Sequence, residues 1–292
     1  MRIDMALAAS ERAQIRQQFA AIDGPLKLEY YHQSPRRVMV PGRPEKPSCE
    51  LAKELYEELA ALSDHISLTI YEHEESEEQA KRRDIVDVPC VLIRGELNRP
   101  LRFYGAPNGH LMVAMIRSMV LASTRQAKPA VRMKRALGKL RRPTRLRLLG
   151  SASDPIAGQA ALAACSVALL SPKLQTDVFA IEEFSDIGAR SGVTALPALF
   201  IDDRRFAAGL VDPLELVEFI GLWQANPEKA QLNPPRTQPG SATAWRPPQP
   251  AQPQREAAPI DPIAAAAGRA REPVGTPEGM RRTAGGLIVP NR

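Results

Sequence analysis

Two stretches of this chain share one unusual pattern: Val86-Asp87-Val88-Pro89-Cys90-Val91-Leu92-Ile93 and Val193-Thr194-Ala195-Leu196-Pro197-Ala198-Leu199-Phe200-Ile201. In each, a proline heads an unbroken apolar run. Proline cannot donate to a β-ladder, so it belongs at the first residue of a strand or on an edge, not in the middle of a sheet. An X–Pro bond is also where a cis peptide is cheapest, at roughly 0.5–1 kcal/mol. The residues after each run match too: a polar turn, a short strand closed by Gly105 or Gly209, then a helical run. The repeat sets the plan of the chain as two related units in tandem.

Hydrophobic periodicity supplies the rest of each unit. Ile15, Phe19 and Ile22 mark an opening helix over 10–22, stopped by Asp23-Gly24-Pro25. Residues 26–31 alternate as a strand, and Leu51, Leu55, Leu59 and Leu62 recur at helical spacing. A strand over 66–70 and an acidic helix holding Glu72, Glu74, Glu75, Glu77 and Glu78 lead into the first proline strand. The second unit repeats the order with helices over 130–140, 156–170, 182–190 and 213–223 and strands over 146–149 and 174–180. Each unit reads βαβαββα. Crossover helices make the first three strands parallel or mixed, and the last two close as a hairpin.

A length of 292 residues suits two domains, expected at 1–125 and 126–225. The remainder, 226–292, is different in kind: it holds 13 of the 27 prolines, and nine Lys/Arg against five acids give it +4 of the net +6. With few large apolar residues it cannot offset the entropy of folding, so a disordered tail is expected, extended as polyproline II around 246–253. No run of eighteen apolar residues exists, and Met1-Arg2-Ile3-Asp4-Met5 lacks a leader's basic, apolar, small-residue order. The expectation is a cytoplasmic protein without a membrane span. Three cysteines with no C-x-x-C, and only four histidines, argue against a disulfide framework and a metal site. No cofactor is expected.

The order of elements, both prolines, the glycine ending each fourth strand, the turn Gly105-Ala106-Pro107-Asn108-Gly109-His110 and the segment 62–68 together resemble the thioredoxin/glutaredoxin family. In tandem they resemble the double-thioredoxin-fold protein disulfide oxidoreductases and the N-terminal domain of the alkyl hydroperoxide reductase flavoprotein subunit, over about residues 10–223. The resemblance implies an α/β fold of two tandem thioredoxin-like units followed by the disordered Pro-rich tail. It implies proline loops (Val88 and Pro89, Leu196 and Pro197) that bind extended polypeptide. It also implies a Cys-x-x-Cys at the start of the helix after each first strand, where the helix N-terminus lowers the thiol pKa.

That chemistry is not in place. The corresponding stretches are Lys46-Pro47-Ser48-Cys49 and Asp154-Pro155-Ile156-Ala157, so only the second, resolving position of unit one is a cysteine. Asp154 before Pro155 reads as a helix N-cap followed by the first helical residue. Attack on a disulfide needs an accessible thiolate, so a pseudoenzyme is expected. Cys49 and Cys90 remain candidates for residual thiol chemistry, since in the resembled fold the helix start packs by the proline loop. Cys165, in an Ala-rich helix, reads as a small core residue. His110, in the turn, is expected to cap or brace its helix.

Two further features bear on partners. Residues 128–147 hold nine basic side chains and no acid. On a helix Arg132, Arg135, Lys139 and Arg142 would give a cationic face suited to phosphate or an acidic protein. No recognition motif or interleaved aromatics accompany it, which argues against nucleic acid. Near the C-terminus, Leu287-Ile288-Val289-Pro290 is apolar with no core to join. It is a candidate for docking to a partner's groove or sheet edge, with the tail as tether. The expected function is a redox-inactive, protein-binding scaffold or cargo module. The alternative is a residual thiol-disulfide oxidoreductase using Cys49, with or without Cys90.

Overall fold

Alternation and helical periodicity place the elements of the computed structural model, which describes residues 7–35, 46–124 and 129–248 and the backbone alone of 280–282 and 288–290. The first half runs α1 (Ala9–Phe19), β1 (Leu26–His32), α2 (Ser48–Ala60), β2 (Ile66–Glu72), α3 (Glu77–Arg82), β3 (Cys90–Arg94), β4 (Leu101–Tyr104) and α4 (Gly109–Ser123). The second runs α5 (Val131–Gly138), β5 (Thr144–Gly150), α6 (Pro155–Leu170), β6 (Leu174–Ala180), α7 (Ser185–Arg190), β7 (Ala195–Leu196), β8 (Ala198–Ile201), β9 (Arg204–Ala208) and α8 (Pro213–Ala225). After it come α9 (Pro227–Leu232) and β10 (Thr243–Ala244). The acidic helix is shorter than its glutamates suggested, because Glu72 ends β2 and α3 begins only at Glu77.

The repeat extends to the hydrogen bonding. β1 pairs parallel with β2 and antiparallel with β3, and β3 pairs antiparallel with β4. β5, β6, β8 and β9 pair in the same way. The glycine closing each fourth strand donates its N–H to the carbonyl of the strand-heading proline: Gly105 to Pro89 at 2.9 Å and Gly209 to Pro197 at 2.8 Å. Both glycines sit at positive φ, +105° and +103°, a conformation that a side chain would strain.

The two halves share one eight-stranded sheet, in the order β2-β1-β3-β4-β6-β5-β8-β9. Its two faces carry separate apolar clusters. Tyr30, Val91, Ile93, Phe103, Leu148 and Val178 belong to one. Tyr31, Cys90, Leu92, Tyr104, Leu149 and Phe179 belong to the other, as alternation along a strand requires. The halves meet where β4 pairs parallel with β6, Arg102 opposite Asp177 and Tyr104 opposite Phe179. Arg102 and Asp177 are 2% and 0% exposed and form an ion pair at 3.2 Å. Arg145 reaches the other carboxylate oxygen at 3.3 Å. The rings of Tyr104 and Phe179 stack at 4.1 Å, tilted by 2°.

One expectation is corrected. Residues 226–248 are not structureless. Asn226 caps α9 through Lys229 N, Ala230 is fully buried, and β10 pairs with β7. The segment needs no core of its own because it borrows buried surface and an open backbone edge from the second half. A separate unit, Pro248–Arg292, contains β11 (Met280–Arg282) paired antiparallel with β12 (Ile288–Pro290).

Removing one member of a buried ion pair leaves an uncompensated charge, at a cost of about 3–5 kcal/mol. Asp177→Ala is therefore expected to lower the urea-unfolding free energy by about that amount, and Asp177→Leu with Arg102→Met to recover most of it.

Candidate functional site

The first candidate site is built where β1 ends, α2 begins and the β3 strand is entered. Val88–Pro89 is cis. Lys46, one residue before the Pro47 N-cap of α2, folds its ammonium onto the proline loop. There it pairs with Asp87 and donates to the Val88 carbonyl at 2.7 Å. The Val88 N–H donates to Asp87 Oδ1 at 2.7 Å, so both backbone polar groups ahead of the proline are engaged. The Lys46 ammonium also lies 5.2 Å from the centroid of Phe184, a second-half residue. Next to it, Glu183 accepts the Ala106 N–H.

Cys49 follows in the first turn of α2, its N–H donating to the Lys46 carbonyl at 2.9 Å. Its residue surface is fully buried, its sulfur accepts the Gln33 N–H at 3.5 Å, and its carbonyl accepts the Tyr30 hydroxyl at 2.7 Å. Burial pushes the thiol up to about 11, against smaller lowering by the Gln33 bond and by Lys46. The start of a helix ordinarily favours a thiolate, but here desolvation wins. Cys90, the first residue of β3, is fully buried between Tyr31 and Tyr104 on the neighbouring strands, and burial raises its thiol well above the ordinary value. The two thiols belong to one apolar cluster yet are both free. The charges of Lys46 and Glu183 act on the Cys49 thiol, and those of Asp177 and Arg102 on Cys90. The structure joins them by no bond. Cys165 is core, its thiol pushed up to about 12 by burial.

In the second half the same positions are structural. Asp154 is the N-cap of α6, its Oδ1 accepting the Ile156 N–H at 2.8 Å, with Pro155 following. Ala157 is fully buried against Gly150. The loop before it is tied down by Glu182, which accepts from Ser151 Oγ at 2.6 Å and Ala152 N at 3.0 Å. His110 braces this loop through its backbone, its N–H donating to the Ala152 carbonyl at 2.8 Å. Leu196–Pro197 is cis as well. Its approach edge is taken: Thr243 pairs with Leu196 and Ala244 with Ala195, and the Trp245 N–H donates to the Thr194 carbonyl at 2.8 Å.

The remaining candidates fall apart spatially. α5 ends at Gly138, so the basic block is not one helical face. Arg132, Arg135 and Lys139 are exposed, but Arg142 pairs with Asp202 and Arg147 with Asp203, each at 2.7 Å, and Arg145 serves the buried Asp177. Leu287 lies outside the described residues, and of Ile288, Val289 and Pro290 only the backbone of β12 is described. Among the described residues no three His, Cys, Asp or Glu side chains converge on a metal position, and no helix is long and apolar enough to cross a membrane. Two features carried no motif: the Lys46–Asp87 closure, whose partners lie far apart in sequence, and Trp245, a lone aromatic in a Pro-rich stretch.

Neither protein-family models nor curated proteins match the chain. Solved structures do. The alkylhydroperoxide reductase protein AhpF of Enterococcus faecalis superposes with a TM-score of 0.64 at 16% identity, covering 73% of this chain and 99% of that one. A structure of the NTD_N/C domain of the same organism's AhpF gives the same values. A protein disulfide oxidoreductase of Aeropyrum pernix gives 0.64 at 18% identity, covering 75% and 94%. These likenesses are of fold: two tandem thioredoxin-like units in one sheet.

Buried, protonated thiols fix two expected outcomes. The native chain should leave all three cysteines unreactive to Ellman's reagent over minutes and release three equivalents once unfolded in guanidinium. The Cys49 thiol ionises near 9.0 when unfolded and near 11 when folded. Its contribution to stability is therefore complete below pH 9 and lost as pH rises toward 11. Urea midpoints measured between pH 8 and 10.5 should fall less steeply in Cys49→Ala than in the unmodified chain.

Proposed function

We propose that this chain is a redox-inactive, double-thioredoxin-fold protein that binds other proteins as a scaffold or cargo module. The observation that carries the reading is Lys46: at the sequence position where the resemblance expects the attacking thiol, the side chain is an ammonium tied to Asp87 and the Val88 carbonyl. An ammonium cannot open a disulfide, and the thiol at the second position is buried and protonated. In the second half both thiol positions are filled by an N-cap carboxylate and a core alanine. The competing reading, residual thiol-disulfide exchange at Cys49 with or without Cys90, has the same burial against it.

Docking through Leu287, Ile288, Val289 and Pro290 is part of this proposal and rests on sequence, an apolar stretch at the end of a polar, Pro-rich tether. A chain with those four residues replaced by serine should lose the partner that the unmodified chain captures from native lysate, while keeping its thermal midpoint.

The redox half is tested by dithiothreitol-driven insulin reduction. The unmodified chain should not exceed the thiol-only background, and Lys46→Cys, which completes Cys-Pro-Ser-Cys, should. Turnover by the unmodified chain that disappears in Cys49→Ser would replace this reading with the oxidoreductase one.

A further inference from the structure

The second proline loop carries an occupant from its own chain. After α9 the backbone returns along the second half. Thr237 bridges to Val211, and the Gln238 N–H donates to the Leu210 carbonyl at 2.9 Å. Ser241, 4% exposed, works as a clasp: its hydroxyl accepts the Leu210 N–H at 2.9 Å and donates to the Gln238 carbonyl at 2.5 Å. The chain then adds β10 to β7, the two residues ahead of the cis proline. Trp245 ends the strap. Its ring lies over α7 so closely that a Cβ at Gly188 would come within 2.8 Å of it.

The strap is held at its ends and not in its middle. Thr243 and Ala244 are exposed, so their side chains contribute little, and the strand is kept by backbone pairing, the Ser241 clasp and the Trp245 ring. Backbone pairing is indifferent to sequence. An edge satisfied mainly in this way is open to any extended chain that also offers an aromatic ring to the Gly188 surface. Among the described residues no strand pairs with the matching residues of the first half: Val86 is 53% exposed, and the Val88 backbone is satisfied by Lys46 and Asp87 instead.

We propose that Ser241–Trp245 is an internal competitor that holds the second proline loop closed against extended polypeptides bearing a tryptophan-sized aromatic, and that such a ligand binds by displacing it. This rests on the reading that the proline loops take polypeptide. A tethered strand competes at an effective concentration of about millimolar, so free peptide meets a strong rival until the strap is weakened.

The test uses the full chain and a fluorescein-labelled synthetic peptide copying Thr237 to Pro248, followed by anisotropy. Trp245→Ala should bind the peptide at least about tenfold more tightly than the unmodified chain, and a peptide with the tryptophan replaced by alanine should not bind. Ala195→Cys with Ala244→Cys places thiols at directly paired positions, at a separation a disulfide can span. Oxidation should lock the strap and abolish peptide binding, and reduction should restore it, a comparison that stands even if Trp245→Ala fails to fold. Equal binding by the unmodified, Trp245→Ala and locked chains would overturn the strap's role while leaving the protein a peptide binder. No binding by any of them would overturn both the strap and the peptide-binding reading of this loop.

Discussion

The Arg102–Asp177 ion pair is buried at the seam where β4 of the first half meets β6 of the second. β4 and β6 are the edge strands of their respective halves, and an exposed edge could pair in several registers or with another molecule. A slip of one residue would move every side chain to the opposite face. With Asp177 fully buried, a register that separates it from Arg102 leaves the buried guanidinium without its buried carboxylate, while Arg145, on β5 of the same half, stays with Asp177. The Tyr104–Phe179 stack, on the same face two residues on, favours the same alignment. The residues just past β6 thereby reach the first half: Glu183 meets Ala106, and Phe184 lies beneath Lys46. The contact is reciprocal, because the turn leading into α4 supports the loop ahead of α6 through His110 and Ala152.

With that frame fixed, the chemistry at the two helix starts is decided by which groups need partners. A helix N-terminus presents unsatisfied N–H groups and a positive end. A thiol enzyme uses that field to hold a thiolate. In the second half Asp154 takes the N–H for itself, so the field stabilises a capping carboxylate. In the first half Lys46 brings a positive charge to the same end of α2 and turns it away to the proline loop. The nearest sulfur is left in a dry pocket where the neutral thiol is favoured.

Much of this was legible in the sequence because the fold writes itself in residues with strong backbone requirements. Pro89 and Pro197 marked strand heads, Gly105 and Gly209 marked positive-φ strand ends, and leucine spacing marked α2. The N-cap role of Asp154 could be read from the following proline alone. Less legible were features that depend on partners distant in the chain. The basic block looked like one face because nothing local shows that α5 stops at Gly138 or that Asp202 and Asp203 await Arg142 and Arg147. The strap was hidden for a different reason. Its stability comes from an edge supplied by another part of the fold, and main-chain pairing leaves no pattern in side chains. A polar, Pro-rich composition argues against a segment folding alone and says nothing about its adding to an existing sheet.

The two proline loops, alike in backbone, are therefore closed in physically different ways. At the first, the closing groups are side chains, Lys46 and Asp87, with 24% and 41% of their surface in solvent. Such a pair is weakened by salt and can open by rotamer change without disturbing the backbone. At the second, closing uses the main chain, and opening requires β10, the Ser241 clasp and the Trp245 ring to leave together, which is a local unfolding event. Ionic strength acts directly on the first closure and hardly at all on the second. Main-chain pairing occupies the edge at the second, whereas at the first the Val88 N–H and carbonyl are held by side chains. The chain carries two copies of one loop, and the residues around each make their accessibility depend on different variables.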